Sequence, residues 1–347
     1  MNTTVLYLAT SDGPIIVRHD GPHWRAERPL GLHATADDDK VHASIASDPL
    51  KPERVFYALP EHGVWRTDDR GSTWRKVFAG LPHDRVTALA VGATGNVYVG
   101  TEPSALFTSQ DGGETWTRCG GMEKLPSAKQ WSFPPRPESH HTQWIINGVV
   151  YQPDPRTPDK LLVAVEAGAL LMTPDDGQTW RDAVPGSPSD THQLALHPDR
   201  PQHIWSAAGD GIFESCDGGD TWTRVESGLR FRYGWSLAID PGNPQIVILS
   251  AAPDAGQAHG LGRAESALFR REGEADWQQL QTGLPAPEGS LAAVVASHNA
   301  EPGIFYAAIN GVVYRSDDAG KTWHSLRIDW PAQFATPHIH AMTVASG

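Results

Sequence analysis

Cysteine, basic charge and long apolar runs are all scarce in this 347-residue chain, and each shortage removes a class of protein. Two cysteines, Cys119 and Cys216, are too few for a disulfide framework. Lys and Arg number 28 against 41 Asp and Glu, a formal net charge of −13. That balance argues against nucleic acid or an anionic membrane surface as principal partner, since either would need a basic face, and leaves room for a local basic pocket. No apolar run approaches the ~20 residues that cross a bilayer, and the opening MNTTVLYLATSDG has neither the basic start nor the apolar core of an export signal. The expectation is a cytoplasmic protein with no nucleic-acid or membrane partner. Nor does any long stretch repeat its apolar residues every 3.6 positions, which argues against a helical fold.

What the chain has in abundance is turn formers and tryptophan: 34 Gly, 28 Pro and 13 Trp. Five times it spells Ser/Thr-x-Asp-x-Gly-x-Thr-Trp, at Thr67 to Trp74, Ser109 to Trp116, Thr173 to Trp180, Ser215 to Trp222 and Ser316 to Trp323. Worn copies end at Trp277 and Trp24. In such a string the Asp carboxylate accepts backbone N–H groups, Gly supplies a positive φ, and the hydroxyls tie down their own backbone. The Trp then pins the outgoing strand of the hairpin. These aspartates read as structural, not catalytic.

The seven tryptophans are spaced 42 to 64 residues apart, a period that suits one four-stranded propeller blade. The 24 residues after Trp323 and the 24 up to Trp24 together make one further repeat. The sequence therefore predicts an all-β, seven-bladed β-propeller, residues 1–347 as a single domain, with the C-terminal strand joining the N-terminal blade. Residues 85–91 (RVTALAV) read as an inner strand and 96–100 (NVYVG) as a second. Asp48-Pro49, Asp154-Pro155 and Asp240-Pro241 mark turns between first and second strands. Residues 5–9 then form a second strand, and 338–345 (HIHAMTVA) the innermost strand of the same blade.

The boxes resemble the BNR or Asp-box repeats of sialidases, sortilin-type receptors, xyloglucan-degrading glycosidases and photosystem II assembly propellers. More narrowly, GVWRTDDRGSTW, WSFPPRP followed by His140-His141, and VEAGALLMTPDDGQTW resemble uncharacterised bacterial BNR-repeat, glycosyl hydrolase-like proteins. The resemblance implies the fold and carries no activity with it, because the box lies outside the reactive centre in those families. A classical sialidase is not expected: the chain has no Arg-Ile-Pro, and Arg136, Arg230, Arg232 and Arg263, with Tyr233 adjacent to one of them, do not assemble into a recognisable arginine triad.

Function is expected on the face opposite the boxes, in the crossovers between blades and the loops between second and third strands. Two of these segments are long, 117–142 and 251–266. The first holds Trp131, Phe133, Arg136, His140 and His141 among prolines, the chemistry of a stiff binding lid, or else of two aromatics capping the gap between blades. With Arg232, Tyr233, His259 and Arg263, the residues Trp131, Arg136, His140 and His141 make up the predicted ligand pocket. Inner-strand alignment sets His42 beside His340 at the channel, with His192 in nearly the same register and His141 and His338 close by. Imidazoles converging there would suit Fe, Cu, Mn or Zn. Polar side chains lining a wet, metal-free channel is the plainer reading. Glu61, Glu102, Glu166, Asp210 and Glu265, in the loops between second and third strands, offer material for a glycosidase acid–base pair. Asp37, Asp38 and Asp39 read as a solvated crossover.

Two functions from different classes follow. One is a binding propeller for a small anionic or sugar-like molecule or a protein partner. The other is an enzyme, metal-dependent through the channel histidines or glycosidase-like through a carboxylate pair.

Overall fold

A computed structural model describes residues 4–10, 12–20, 23–29, 43–131, 146–151, 160–260, 262–331 and 338–346. Six sheets are each cut from one continuous stretch of chain. Five of them have four strands, exemplified by Thr191–His197, Arg200–Ala208, Gly211–Ser215 and Thr223–Arg224, paired in chain order. The sheet of Ile146–Tyr151, Leu161–Val165 and Ala169–Thr173 has three, with a bridge from Met172 to Arg181 in place of a fourth strand. A further, composite sheet takes strands from both ends of the chain. Thr4–Thr10 pairs with Gly13–Asp20 on one side and, antiparallel, with Ile339–Ser346 on the other, Val5 lying opposite Ala345. Residues 5–9 thus sit second in their sheet, beside the segment of chain that the sequence assigned to the innermost position. The fold is an all-β propeller.

The strands follow their burial. Second strands such as Leu161–Val165 and Phe305–Ile309 are buried along their whole length, because sheets pack against both of their faces. Innermost strands mix buried and half-buried positions: in Thr191–His197, Thr191, Leu194 and His197 are buried and the residues between them half-buried. These innermost strands lie side by side from sheet to sheet, and Ile339–Ser346 touches both Val294–Ser297 and Ser44–Asp48. The Asp-Pro turns fall as expected at Asp48 and Asp240, and Asp154-Pro155 lies outside the described residues. Asp240 also bridges neighbours, its carboxylate accepting the N–H groups of Gly242 and Gly303 at 2.8 Å each.

Each box closes on itself. In the second, Ser109 Oγ donates to Asp111 Oδ1 at 2.7 Å and accepts the Gly113 N–H at 2.7 Å; Asp111 also accepts the Thr115 N–H at 2.9 Å and its hydroxyl at 2.6 Å. These donors drive the Asp111 carboxyl down to about 2. Two consecutive residues take a left-handed backbone, Gly112 and Gly113 here, Arg70 and Gly71 in the first box. Each box Trp packs into the sheet before its own. Trp116 joins Phe56, Val64 and Val77, Trp277 joins Trp205 and Ile212, and Trp323 joins Ile246 and Ile248.

The long segments are not featureless. No 3.6-residue apolar period marks residues 251–266, yet Ala255–His259 forms a short helix whose first turn is capped by Asp254 Oδ1, which accepts the Gln257 N–H at 2.9 Å. Residues 122–130 form two 3-10 turns. No helix among the described residues is long and apolar enough to cross a membrane.

Candidate functional site

Where innermost strands begin, an aromatic and imidazole cluster assembles from three parts of the chain. Thr191–His197 supplies His192, Tyr233–Asp240 supplies Tyr233 and Trp235, and the helix Ala255–His259 brings His259 against them. Ring centroids lie 4.9 Å apart for His192 and Tyr233, 5.0 Å for His192 and Trp235, and 4.3 Å for Trp235 and His259. His338 and His340 stack at 4.5 Å at the start of Ile339–Ser346. They also lie within electrostatic reach of His259: protonating His192 or His338 would oppose protonation of His259, and protonating His338 or His259 would oppose that of His340.

Burial fixes the protonation of this cluster. It lowers the pKa of His259 from 6.5 to about 4 and that of His340 to about 3, and it depresses His192 as well. All three are neutral near pH 7. The tautomer of His192 then follows: Nδ1 lies 2.6 Å from the Gly234 carbonyl and must donate to it, so Nε2 accepts from the Tyr233 hydroxyl at 3.3 Å. Asp190, 3.7 Å from that Nε2, faces a neutral ring and makes no ion pair.

Asp190 is the carboxylate common to these groups. Its charge opposes ionisation of Tyr233, as do those of Glu166 and Asp254, though burial is the main reason the phenol stays protonated. Its Oδ1 accepts the Ala167 N–H at 3.0 Å, at the turn that carries Glu166. Its Oδ2 occupies space left by Gly209, where an added Cβ would sit 2.1 Å from it. Gly209 is not in a left-handed conformation, so the glycine here is a matter of room. The neighbouring Asp210 accepts the Ser189 N–H and hydroxyl at 3.1 and 2.9 Å. The result is a partly open group of acids beside half-buried aromatic rings. At the far end of the same strands, a channel cavity of about 220 Å³ is lined by His197, Ile239, Ser297 and Thr343 among others, and there His197 is held by the Pro241 carbonyl and the Asp199 N–H.

The structure brings together Tyr233 and His259 of the predicted ligand pocket and His192, His338 and His340 of the predicted channel histidines. Of the other predicted residues that are described, Trp131, Arg232 and Arg263 do not join them. Trp131 is core, 2% exposed among Tyr98, Met122 and Val163 with its Nε1–H on Ser127 Oγ at 3.0 Å, so it fills the gap between two sheets and leaves no ring free for a lid. Arg232 is exposed and 3.5 Å from Glu226; Arg263 is exposed against the turn at Gly256; Arg230 is paired with Glu265 at 2.9 Å. Arg230 and Arg232 are each paired with a different glutamate, and the three arginines form no anion clamp. His42, Phe133, Arg136, His140, His141 and Asp37 to Asp39 lie outside the described residues.

The metal expectation finds no preformed ligand set in this cluster. Among the described residues, the one group of three His, Cys, Asp or Glu with ligating atoms mutually within 4.8 Å is elsewhere. The His192 lone pair is already engaged by Tyr233. Of the five predicted loop acids, Glu102 is buried against Arg85 at 2.7 Å, Glu61 lies 3.4 Å from the same arginine, and Glu265 is paired, which leaves Glu166 and Asp210 near the cluster. Trp235 and Asp190 were missed. The spacing Tyr233-Gly-Trp235 puts both aromatics on one side of a strand and is a signal for Trp235, whereas Asp190 left no comparable pattern.

Two segments, residues 107–118 and 314–325, match the family model of the BNR/Asp-box repeat, so the chain carries such repeats. Xyloglucanase Xgh74A of Acetivibrio thermocellus is 28% identical over 270 residues, 64% of this chain and 31% of that protein. The photosystem II assembly lipoprotein Ycf48 of Synechococcus sp. (strain CC9902) is 22% identical over 230 residues, 58% of this chain and 66% of its own. Among solved structures, the GH74 enzyme of Niastella koreensis has a TM-score of 0.69 at 18% identity, covering 93% of this chain and 52% of its own. YCF48 from Cyanidioschyzon merolae has a TM-score of 0.54 at 16% identity, covering 82% and 85%. At these identities the structural likeness speaks for the propeller fold alone. The chain spans about a third of the length of the xyloglucanase it matches.

Proposed function

We propose that this chain is a glycosidase-like propeller acting on a xyloglucan-type glycan, with the His192 end as its sugar-binding surface. In this reading the composite and three-stranded sheets count as blades beside the five four-stranded ones, giving a ring of seven that Ile339–Ser346 closes beside Thr4–Thr10. The observation that carries the reading is the juxtaposition of Tyr233 and Trp235 with Asp190 and Glu166 at one end of the inner strands. Flat, half-buried rings suit the apolar faces of sugar rings, and a pair of carboxylates supplies the acid and base of glycoside hydrolysis. In this reading Asp190 and Glu166 divide those roles, and the neutral Tyr233–His192 pair orients substrate hydroxyls. Similarity to xyloglucanases over 64% of the chain supports the hydrolase over the binding-only alternative.

The test is release of reducing ends from xyloglucan by the purified protein. Turnover that falls by about 10²-fold or more in Asp190→Asn, with the variant folded, is expected for loss of a catalytic carboxylate. No turnover of xyloglucan or its oligosaccharides by the wild-type protein would overturn the reading.

A further inference from the structure

A second cluster lies at the other end of the sheet that carries His192. Ile204 is opposite Ser215 and Trp205 opposite Glu214, so one further step of the same register sets His203 against Cys216. The pleat then turns His203, Trp205, Glu214 and Cys216 to one face, where directly opposed side chains are neighbours. His203 Nε2 lies 2.5 Å from Glu214 Oε1, and Cys216 Sγ lies 3.8 Å from the same oxygen. The three ligating atoms all lie within 4.8 Å of one another. Arg271, from the next sheet, holds the other carboxylate oxygen at 3.5 Å while its guanidinium rests over the Trp205 ring at 5.2 Å.

We propose that His203, Glu214 and Cys216 form a binding site for a thiophilic divalent cation of the zinc type. One imidazole nitrogen, one carboxylate oxygen and one sulfur are a donor set that such ions accept, and three protein ligands leave a fourth position for water. A hollow of about 430 Å³ is bordered by His203 and Cys216, two of the three ligands. The carboxylate and the thiolate together balance a dication, and Arg271 fixes the carboxylate from behind, as outer partners of metal ligands do. On binding, the His203–Glu214 hydrogen bond opens, the Nε2 proton moves to Nδ1 by exchange with solvent so that the Nε2 lone pair faces the metal, and the Cys216 thiol gives its proton to solvent as the sulfur–metal bond forms. Asp217, next along the chain, is held within its box by Ser215 and Thr221 and adds no ligand. The site does not depend on the glycan reading.

The experiment is titration of chelator-treated protein with Co²⁺, followed by displacement with Zn²⁺. The expected result is a thiolate-to-cobalt charge-transfer band that saturates at one equivalent and is bleached by Zn²⁺. It should vanish in Cys216→Ser, and the apparent affinity should fall about tenfold or more in Glu214→Gln. Cys119 is buried and remains in both variants, which makes it an internal control. A band that persists in Cys216→Ser, or a wild-type protein that gives none, would overturn the proposal. Should Cys216→Ser fold poorly, alkylation of wild-type Cys216 decides: Zn²⁺ must slow it, and unchanged labelling counts against the site.

Discussion

Replacing Gly209 by alanine is expected to disturb the carboxylate group at the channel end while leaving the backbone conformation tolerable. The new methyl would lie 2.1 Å from Asp190 Oδ2 and 3.2 Å from the Tyr233 ring. Asp190 cannot swing aside freely, because its Oδ1 holds the Ala167 N–H at 3.0 Å. Three effects set the size. A Gly→Ala change at a compatible backbone gains about 0.4–1 kcal/mol through the unfolded chain. Overpacking costs about 1–3 kcal/mol, and weakening the hydrogen bond to a half-buried N–H costs about 1 kcal/mol more. The net expectation is a loss of roughly 1–3 kcal/mol in urea unfolding followed by tryptophan fluorescence. In an Asp190→Ala background the colliding oxygen is gone, so the penalty of Gly209→Ala should shrink by about 1–2 kcal/mol, the coupling expected of touching residues. A Gly209→Ala protein as stable as wild type, or strict additivity with Asp190→Ala, would refute the packing argument.

Stability should also depend on pH through the buried histidines. His259 and His340 titrate near 4 and 3 in the folded protein against 6.5 as free side chains, so the unfolded chain takes up protons first. Their contribution is complete above about pH 6.5 and is lost as pH falls toward 4 and 3, at roughly 1.4 kcal/mol per pH unit for each. His259→Gln should flatten the Tm-versus-pH curve in that window. Ser109→Ala removes the acceptor of the buried Gly113 N–H and should cost about 1–3 kcal/mol by denaturant titration. Trp131→Ala should cost about 3–5 kcal/mol as a core truncation and leave any oligosaccharide affinity unchanged once stability is matched.

The scaffold was legible because the box is a local device. Ser109, Asp111, Gly113 and Thr115 satisfy one another within seven residues, so turn chemistry could be read without knowing the rest of the fold. The placement of 5–9 and 338–345 in one sheet was equally legible, since it followed from counting repeats. The site was only partly so. His192, His338 and His340 fell out of strand register, whereas the short helix that delivers His259 depends on one Asp254 cap and gave no periodic signal. Trp131 misled because proline-rich surroundings look like a loop, while its burial between Tyr98 and Val163 depends on two sheets distant in sequence. Asp190 was missed for a similar reason: its role depends on the empty volume at Gly209 and on the Ala167 turn, and neither leaves a spacing to read.

The most direct measurement is calorimetric titration of the protein with a xyloglucan oligosaccharide, comparing wild type, Trp235→Ala and His203→Ala. Saturable binding that weakens about tenfold or more in Trp235→Ala, as loss of an aromatic contact would give, and is untouched in His203→Ala is the predicted result. No binding by the wild-type protein, or equal affinity in Trp235→Ala, would contradict a sugar site at the His192 end.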